Sequence, residues 1–198
     1  MAESETAPNP LALAGELAAR QGGLLESALV GGEPQSAPLG ELVGAGELGL
    51  REPVRAVVFE LVREGYLCHY GVPRLLESDD ADLALLLGDL LYAVGLRELA
   101  ALGEPGPVEL LASLISLSAE MEAAGLGSST GGLWLARAVA LGTGNDPAEP
   151  ALVEGLLEGD NDALALLEES AWKAAEDAGV GAAFGRAREA IQWSQQDL

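Results

Sequence analysis

From Leu83 to Leu96 the chain runs fourteen residues with one charged side chain, Asp89. No other stretch limits the fold as tightly. It is too short to cross a bilayer, which takes about 20 apolar residues, and it has the length of a buried helix. Carried on to Leu102, the run places Leu83, Leu86, Leu91, Val94 and Leu99 around nearly the whole helix circumference. A helix apolar on all sides belongs at the centre of a bundle, so a central helix is expected over 81–102. Gly88 and Gly95, two turns apart on one face, predict the close approach of a neighbouring backbone, since glycine costs a helix interior about 1 kcal/mol relative to alanine. Asp89, if enclosed, needs a hydrogen bond from a neighbouring helix or an arginine partner.

The rest of the chain reads as helix too. Ala, Leu and Glu dominate, β-branched and aromatic residues are few, and no long stretch alternates apolar with polar, so the class is all-α. Pro near helix starts and Gly past helix ends mark the boundaries. Asn9-Pro10 opens a helix to about Val30. Residues 33–48 form a Gly/Pro-rich connector with one short helix. Pro53 starts a helix ending near Gly65, followed by a shorter one over 66–76. Ser78, Asp79 and Asp80 cap the apolar helix. After the break at 103–107, helices run over 108–124, 130–141, 146–158, 161–178 and 181–196, with Asp146-Pro147 and Asp160-Asn161-Asp162 at two of their starts. The expectation is a compact bundle of seven to nine helices with short loops. It forms one domain over 9–198, with a disordered acidic tail at 1–8 and room for a smaller helical layer at 143–198.

Charge narrows the function. Thirty-two acidic residues face ten basic ones, a net charge of −22. Such a surface repels phosphate backbones and anionic lipid, which excludes a nucleic-acid binder and disfavours lipid docking. The 49% hydrophobic content argues against disorder. With one cysteine, Cys68, no intramolecular disulfide forms, and neither a signal peptide nor a membrane span is read, so a cytoplasmic protein is expected.

Most catalytic signatures are absent from the sequence. Gly125–Gly132 is glycine-rich but lacks the lysine of a phosphate loop. Cys68 and the one histidine, His69, are sequence neighbours, which on a helix do not face each other. A zinc site needs more nitrogen and sulfur ligands than the chain offers. Asp79, Asp80 and Asp82 suit an N-terminal cap. The same carboxylates are the candidate metal ligands, for Mg²⁺ with a diphosphate, because hard cations take carboxylate oxygens.

Leu86-Leu87-Gly88-Asp89-Leu90-Leu91-Tyr92-Ala93, with Leu99–Leu102 and Glu109–Ala112 after it, resembles the trans-isoprenyl (polyprenyl) diphosphate synthase family. In that all-α family a similar Gly-Asp element opens a central helix. Leu67-Cys68-His69 resembles the segment before the family's first aspartate-rich motif, and Leu50–Pro53 its basic diphosphate-binding element. The likeness covers about residues 50–122 and implies Arg51, His69 and Asp89 as ligand-binding residues. Tyr70 and Gly71 stand where that motif would place its aspartates, and Glu52 replaces an expected arginine. Ionising an allylic diphosphate requires Mg²⁺ clamped by two carboxylate clusters. The resemblance therefore implies a non-catalytic member without a cofactor, like the small subunits of two-component prenyl diphosphate synthases. Such a subunit works with a protein partner, a catalytic synthase or further copies of itself. Two other readings stand beside it: a helical adaptor or scaffold unconnected with isoprenoids, and a Mg²⁺-dependent diphosphate enzyme using Asp79, Asp80 and Asp82.

Overall fold

The computed structural model describes residues 8–32 and 35–196, with the backbone only for 192–196. The tail expected at 1–8 lies, apart from Pro8, outside the described residues. Among the described residues eleven α-helices follow in order: α1 (Pro10–Ala19), α2 (Gly23–Ala28), α3 (Pro38–Ala45), α4 (Glu47–Arg51), α5 (Val54–Tyr70), α6 (Ala81–Ala100), α7 (Pro105–Ala123), α8 (Thr130–Thr143), α9 (Pro150–Leu157), α10 (Asn161–Asp177) and α11 (Gly181–Gln196). Nine have seven residues or more. Among the described residues there is no strand beyond one antiparallel bridge, Leu29 with Leu76. The chain is a compact all-α fold. No helix of the described residues is long and apolar enough to cross a membrane.

Helix starts follow local chemistry. Asn9 Oδ1 accepts from the Leu11 and Ala12 amides at 2.8 and 3.3 Å, and Asp160 Oδ1 from the Asp162 amide at 2.8 Å. Other expected boundaries moved. The helix expected to reach Val30 breaks after Ala19, because Gly22 and Gly23 turn the chain with φ of 68° and 59°, outside helical space. The 33–48 connector yields α3, whose Leu39, Leu42 and Val43 are buried in the core, and the start of α4. Asp146 opens no helix. It pairs with Arg137 instead, and α9 starts at Pro150.

Gly65, read as a stop, lies inside α5, where it serves packing. α5 and α6 run antiparallel and cross closely. A Cβ on Gly65 would meet the Tyr92 ring at 2.7 Å and the Gly88 carbonyl oxygen at 3.0 Å. One on Gly88 would meet the His69 ring at 2.8 Å, and one on Gly95 would meet Val58 and Val62 at 3.3 Å. The close approach expected of Gly88 and Gly95 is present, with α5 as the neighbour.

The centre of the bundle is α8. Every residue from Thr130 to Gly142 is buried. Its small residues let α3, α4, α7, α10 and α11 pack around it. One apolar cluster runs from Leu39 through Phe59 and Trp134 to Phe184 and Ile191. A second, with Leu17, Leu61, Leu87 and Leu91, lies between α1, α5 and α6. α5 contributes to both. The helix expected at the centre, α6, is a wall: Leu87, Leu91, Val94 and Leu99 face inward, while Leu85 and Leu86 are 42% and 47% exposed. Asp82, Asp89 and Arg97 recur on that outer stripe, and their hydration keeps it at the surface.

Replacing Gly65 by alanine should lower stability by about 1–3 kcal/mol, because no rotamer removes a Cβ from the Tyr92 ring. At Gly185 in α11 a Cβ meets nothing within 4 Å, so Gly185→Ala should gain about 0.5–1 kcal/mol through helix propensity. Urea midpoints of the two variants check both signs.

Candidate functional site

The structure distributes the sequence candidates between the two ends of α5. Arg51 lies just before α5 and pairs with Glu47 one turn back on α4, both exposed. His69 lies at the far end, and seventeen helical residues separate these ends by roughly 25 Å. Asp89 and the Asp79–Asp82 segment belong to the His69 end, because α6 returns antiparallel. Asp89 is not enclosed, with its side chain 69% exposed, and its partner is His69. His69 Nε2 approaches Asp89 Oδ1 at 3.2 Å without hydrogen-bond alignment, and the imidazole stacks on Tyr92 at 5.6 Å and 4°. Asp80 caps α6: its Oδ1 accepts from the Asp82 amide at 2.9 Å and the Leu83 amide at 3.1 Å. Asp79 edges an open groove of about 420 Å³ between residues 27–31 and 77–79. Among the described residues, no three His, Cys, Asp or Glu side chains are grouped to hold a metal ion.

The strongest polar cluster escaped the sequence reading. Glu60 and Glu64, one turn apart on α5, are completely buried and share Arg74. Arg74 donates through Nε to Glu64 Oε1 and through a terminal nitrogen to Glu60 Oε2, each at 2.6 Å. Glu64 Oε2 also accepts from the Arg74 and Leu75 amides at 2.7 and 2.9 Å, and Glu60 Oε1 from the Gly40 amide at 2.6 Å. Two carboxylates thus tie the start of α3 and the loop after α5 to one helix. Burial alone would lower the Arg74 pKa, but the two carboxylates outweigh it and hold it above its ordinary value. Two glutamates at i and i+4 within Val54–Leu67, a helix otherwise rich in apolar residues, were the signal available in the sequence.

Beside this cluster lies an aromatic one. Five of the eight aromatic side chains and the histidine form a chain of ring contacts here: Phe59 and Tyr66 against Trp134, Tyr70 against Tyr66 and His69, and Tyr92 against His69. The Arg63 guanidinium lies 4.8 and 4.9 Å from the Tyr66 and Trp134 ring centres. The Tyr66 hydroxyl donates to Glu122 and lies 3.2 Å from the Thr130 hydroxyl. Burial, reinforced by Glu122, pushes the Tyr66 phenol up to about 12. Burial, with Glu64 nearby, pushes the Cys68 thiol up to about 12, and burial also raises Tyr92. A thiol held protonated is a poor nucleophile at neutral pH. Taken together, the arrangement joins helices and neutralises charge. It does not aim reactive groups at a common point.

Arg74→Met strands two buried carboxylates and should cost about 3–5 kcal/mol. Arg97→Met breaks an exposed pair with Glu98 and should cost less than about 1 kcal/mol. Denaturant titration separates the two. The raised thiol and phenol favour the protonated folded state, so their contribution is complete below their ordinary values of 9.0 and 10.0 and is lost as pH rises through about 12. The urea midpoint should hold level to about pH 9 and then fall, and Cys68→Ala should move the onset toward pH 10.

Comparison of the chain with family models, with curated proteins and with solved structures finds no match.

Proposed function

We propose that this protein is a non-catalytic helical partner subunit that acts by docking to a catalytic protein, as its resemblance to the small subunits of two-component prenyl diphosphate synthases implies. The observation that carries the reading is the separation of the groups that diphosphate chemistry would bring together. Arg51 pairs with Glu47 at one end of α5, roughly 25 Å from the Asp79–Asp89 carboxylates at the other. Asp80 holds backbone amides, Asp89 faces His69, and the buried glutamates hold Arg74. Leaving-group ionisation needs cations and carboxylates converging on one substrate.

A second reading, an adaptor without an isoprenoid connection, draws support from the inner face of α6. Leu87, Leu91 and Val94 are no more than 5% exposed, packed into the cluster with α1 and α5. Apolar side chains occupy the volume beside α6 that a prenyl chain would need.

The test mixes the protein with an aspartate-motif prenyl synthase from the same organism. A stable complex on size-exclusion chromatography, with an altered product chain length, is the expected result. Absence of a complex, with product unchanged, would leave the adaptor reading. Mg²⁺-dependent diphosphate release by the chain alone, lost in Asp79→Ala and Asp80→Ala, would overturn both in favour of an enzyme.

A further inference from the structure

At the end of the fold where α6 begins, several large apolar side chains are exposed. Leu85 and Leu86 lie on its outer stripe at 42% and 47%, and Val72, in the loop after α5, is 74% exposed. The antiparallel register set by Gly65 against Tyr92 and Gly88 against His69 carries the end of α5 toward these first turns of α6. Tyr70, 39% exposed, touches His69, which faces Asp89, one turn beyond Leu85 and Leu86. Val30, 42% exposed, joins the same end through the bridge, its amide donating to the Leu75 carbonyl at 2.9 Å.

The segment that leads into α6, with its first turn, borders these side chains with acid. Glu77, Asp79, Asp80 and Asp82 are all exposed, and among the described residues none has a Lys, Arg or His ion-pair partner. Arg74, the cation that follows α5, is engaged by Glu60 and Glu64, and His69 faces Asp89. An apolar ridge bordered by charge of one sign selects its complement. A second copy would set acidic rim against acidic rim. An anionic membrane would be repelled.

We propose that this face, centred on Leu85 and Leu86, docks a basic amphipathic helix of a partner protein. Apolar side chains of that helix lie along α6, and its Lys and Arg residues meet Glu77, Asp79, Asp80 and Asp82. Asp82, Leu86, Asp89 and Ala93 recur at helical spacing along one exposed line, a track along which a second helix can lie. The inference rests on the reading of the chain as a partner protein, but not on the isoprenoid identity of what it binds.

The probe is a synthetic amphipathic Leu/Lys peptide, titrated calorimetrically at physiological ionic strength. Two companions are used, one with Glu for Lys and one with Ser for Leu. The Leu/Lys peptide alone should bind tightly. Leu85→Ser with Leu86→Ser should weaken it about tenfold. Asp79→Asn with Asp82→Asn should weaken it and flatten its salt dependence. Glu158→Gln with Glu169→Gln, away from the patch, should change little. All substitutions are at exposed positions, and circular dichroism verifies the fold. Equal binding of the Ser-for-Leu peptide, or indifference to Leu85→Ser with Leu86→Ser, would reduce the effect to general charge attraction and overturn the proposal. So would a dimer of the chain that these two substitutions dissociate. A synthase complex that survives them would overturn this surface while sparing the proposed function; peptide binding without a synthase complex would do the reverse.

Discussion

Two carboxylates buried on one helix, with one guanidinium between them, anchor this molecule. Glu60 and Glu64 lie within α5, the helix shared by both apolar clusters, where an unpaired charge would cost several kcal/mol. Arg74 and three backbone amides meet their oxygens. Charge-assisted hydrogen bonds of this kind are short and directional, so they fix position as well as energy. The loop after α5 must close back onto the helix, and α3 must present the Gly40 amide to it. That closure sets where α6 begins and how α3 reaches α8.

Close packing works outward from the same helix. Gly65 and Gly88 remove the Cβ atoms that would hold α5 and α6 apart, and Tyr92 and His69 fill the space at the crossing. On the other side Phe59 and Tyr66 reach Trp134, the largest side chain fully enclosed in the core among the described residues. With aromatics this scarce, gathering five of them around α5 and α8 concentrates buried area where the two clusters meet. α8 can be surrounded because its own side chains are small over much of its length.

Local features were read well from the sequence, and long-range ones were not. Asn9, Asp80 and Asp160 cap helices because capping needs only a side-chain oxygen and amides two or three residues on. The all-α class and the glycine contacts of α6 rest on composition and helical spacing. Three glycines misled: Gly65 sits within a helix because the Tyr92 ring occupies the space of its missing Cβ, while Gly22 and Gly23 end a helix that apolar spacing would continue. The Glu60 and Glu64 pair was visible as two acids in an apolar helix, but Arg74, which makes their burial tolerable, lies past the helix end and is brought back only by the closed loop. Likewise Arg51 precedes α5 and His69 lies in its last turn, and the rigidity of that helix keeps them apart.

The sequence by itself determined the class, most helix starts and an acidic surface, because propensity, capping and net charge are properties of neighbouring residues or of simple sums. Tertiary structure decided which helix lies at the centre. Leu85 and Leu86 are as apolar as Leu87 and Leu91, and α6 has the longer apolar run, yet α8 is enclosed and α6 is a wall. Burial depends on which faces find a packing partner, and the polar residues Asp82, Asp89 and Arg97 leave the outer face of α6 toward solvent. The same choice leaves an apolar ridge with an acidic rim on the outside of the fold.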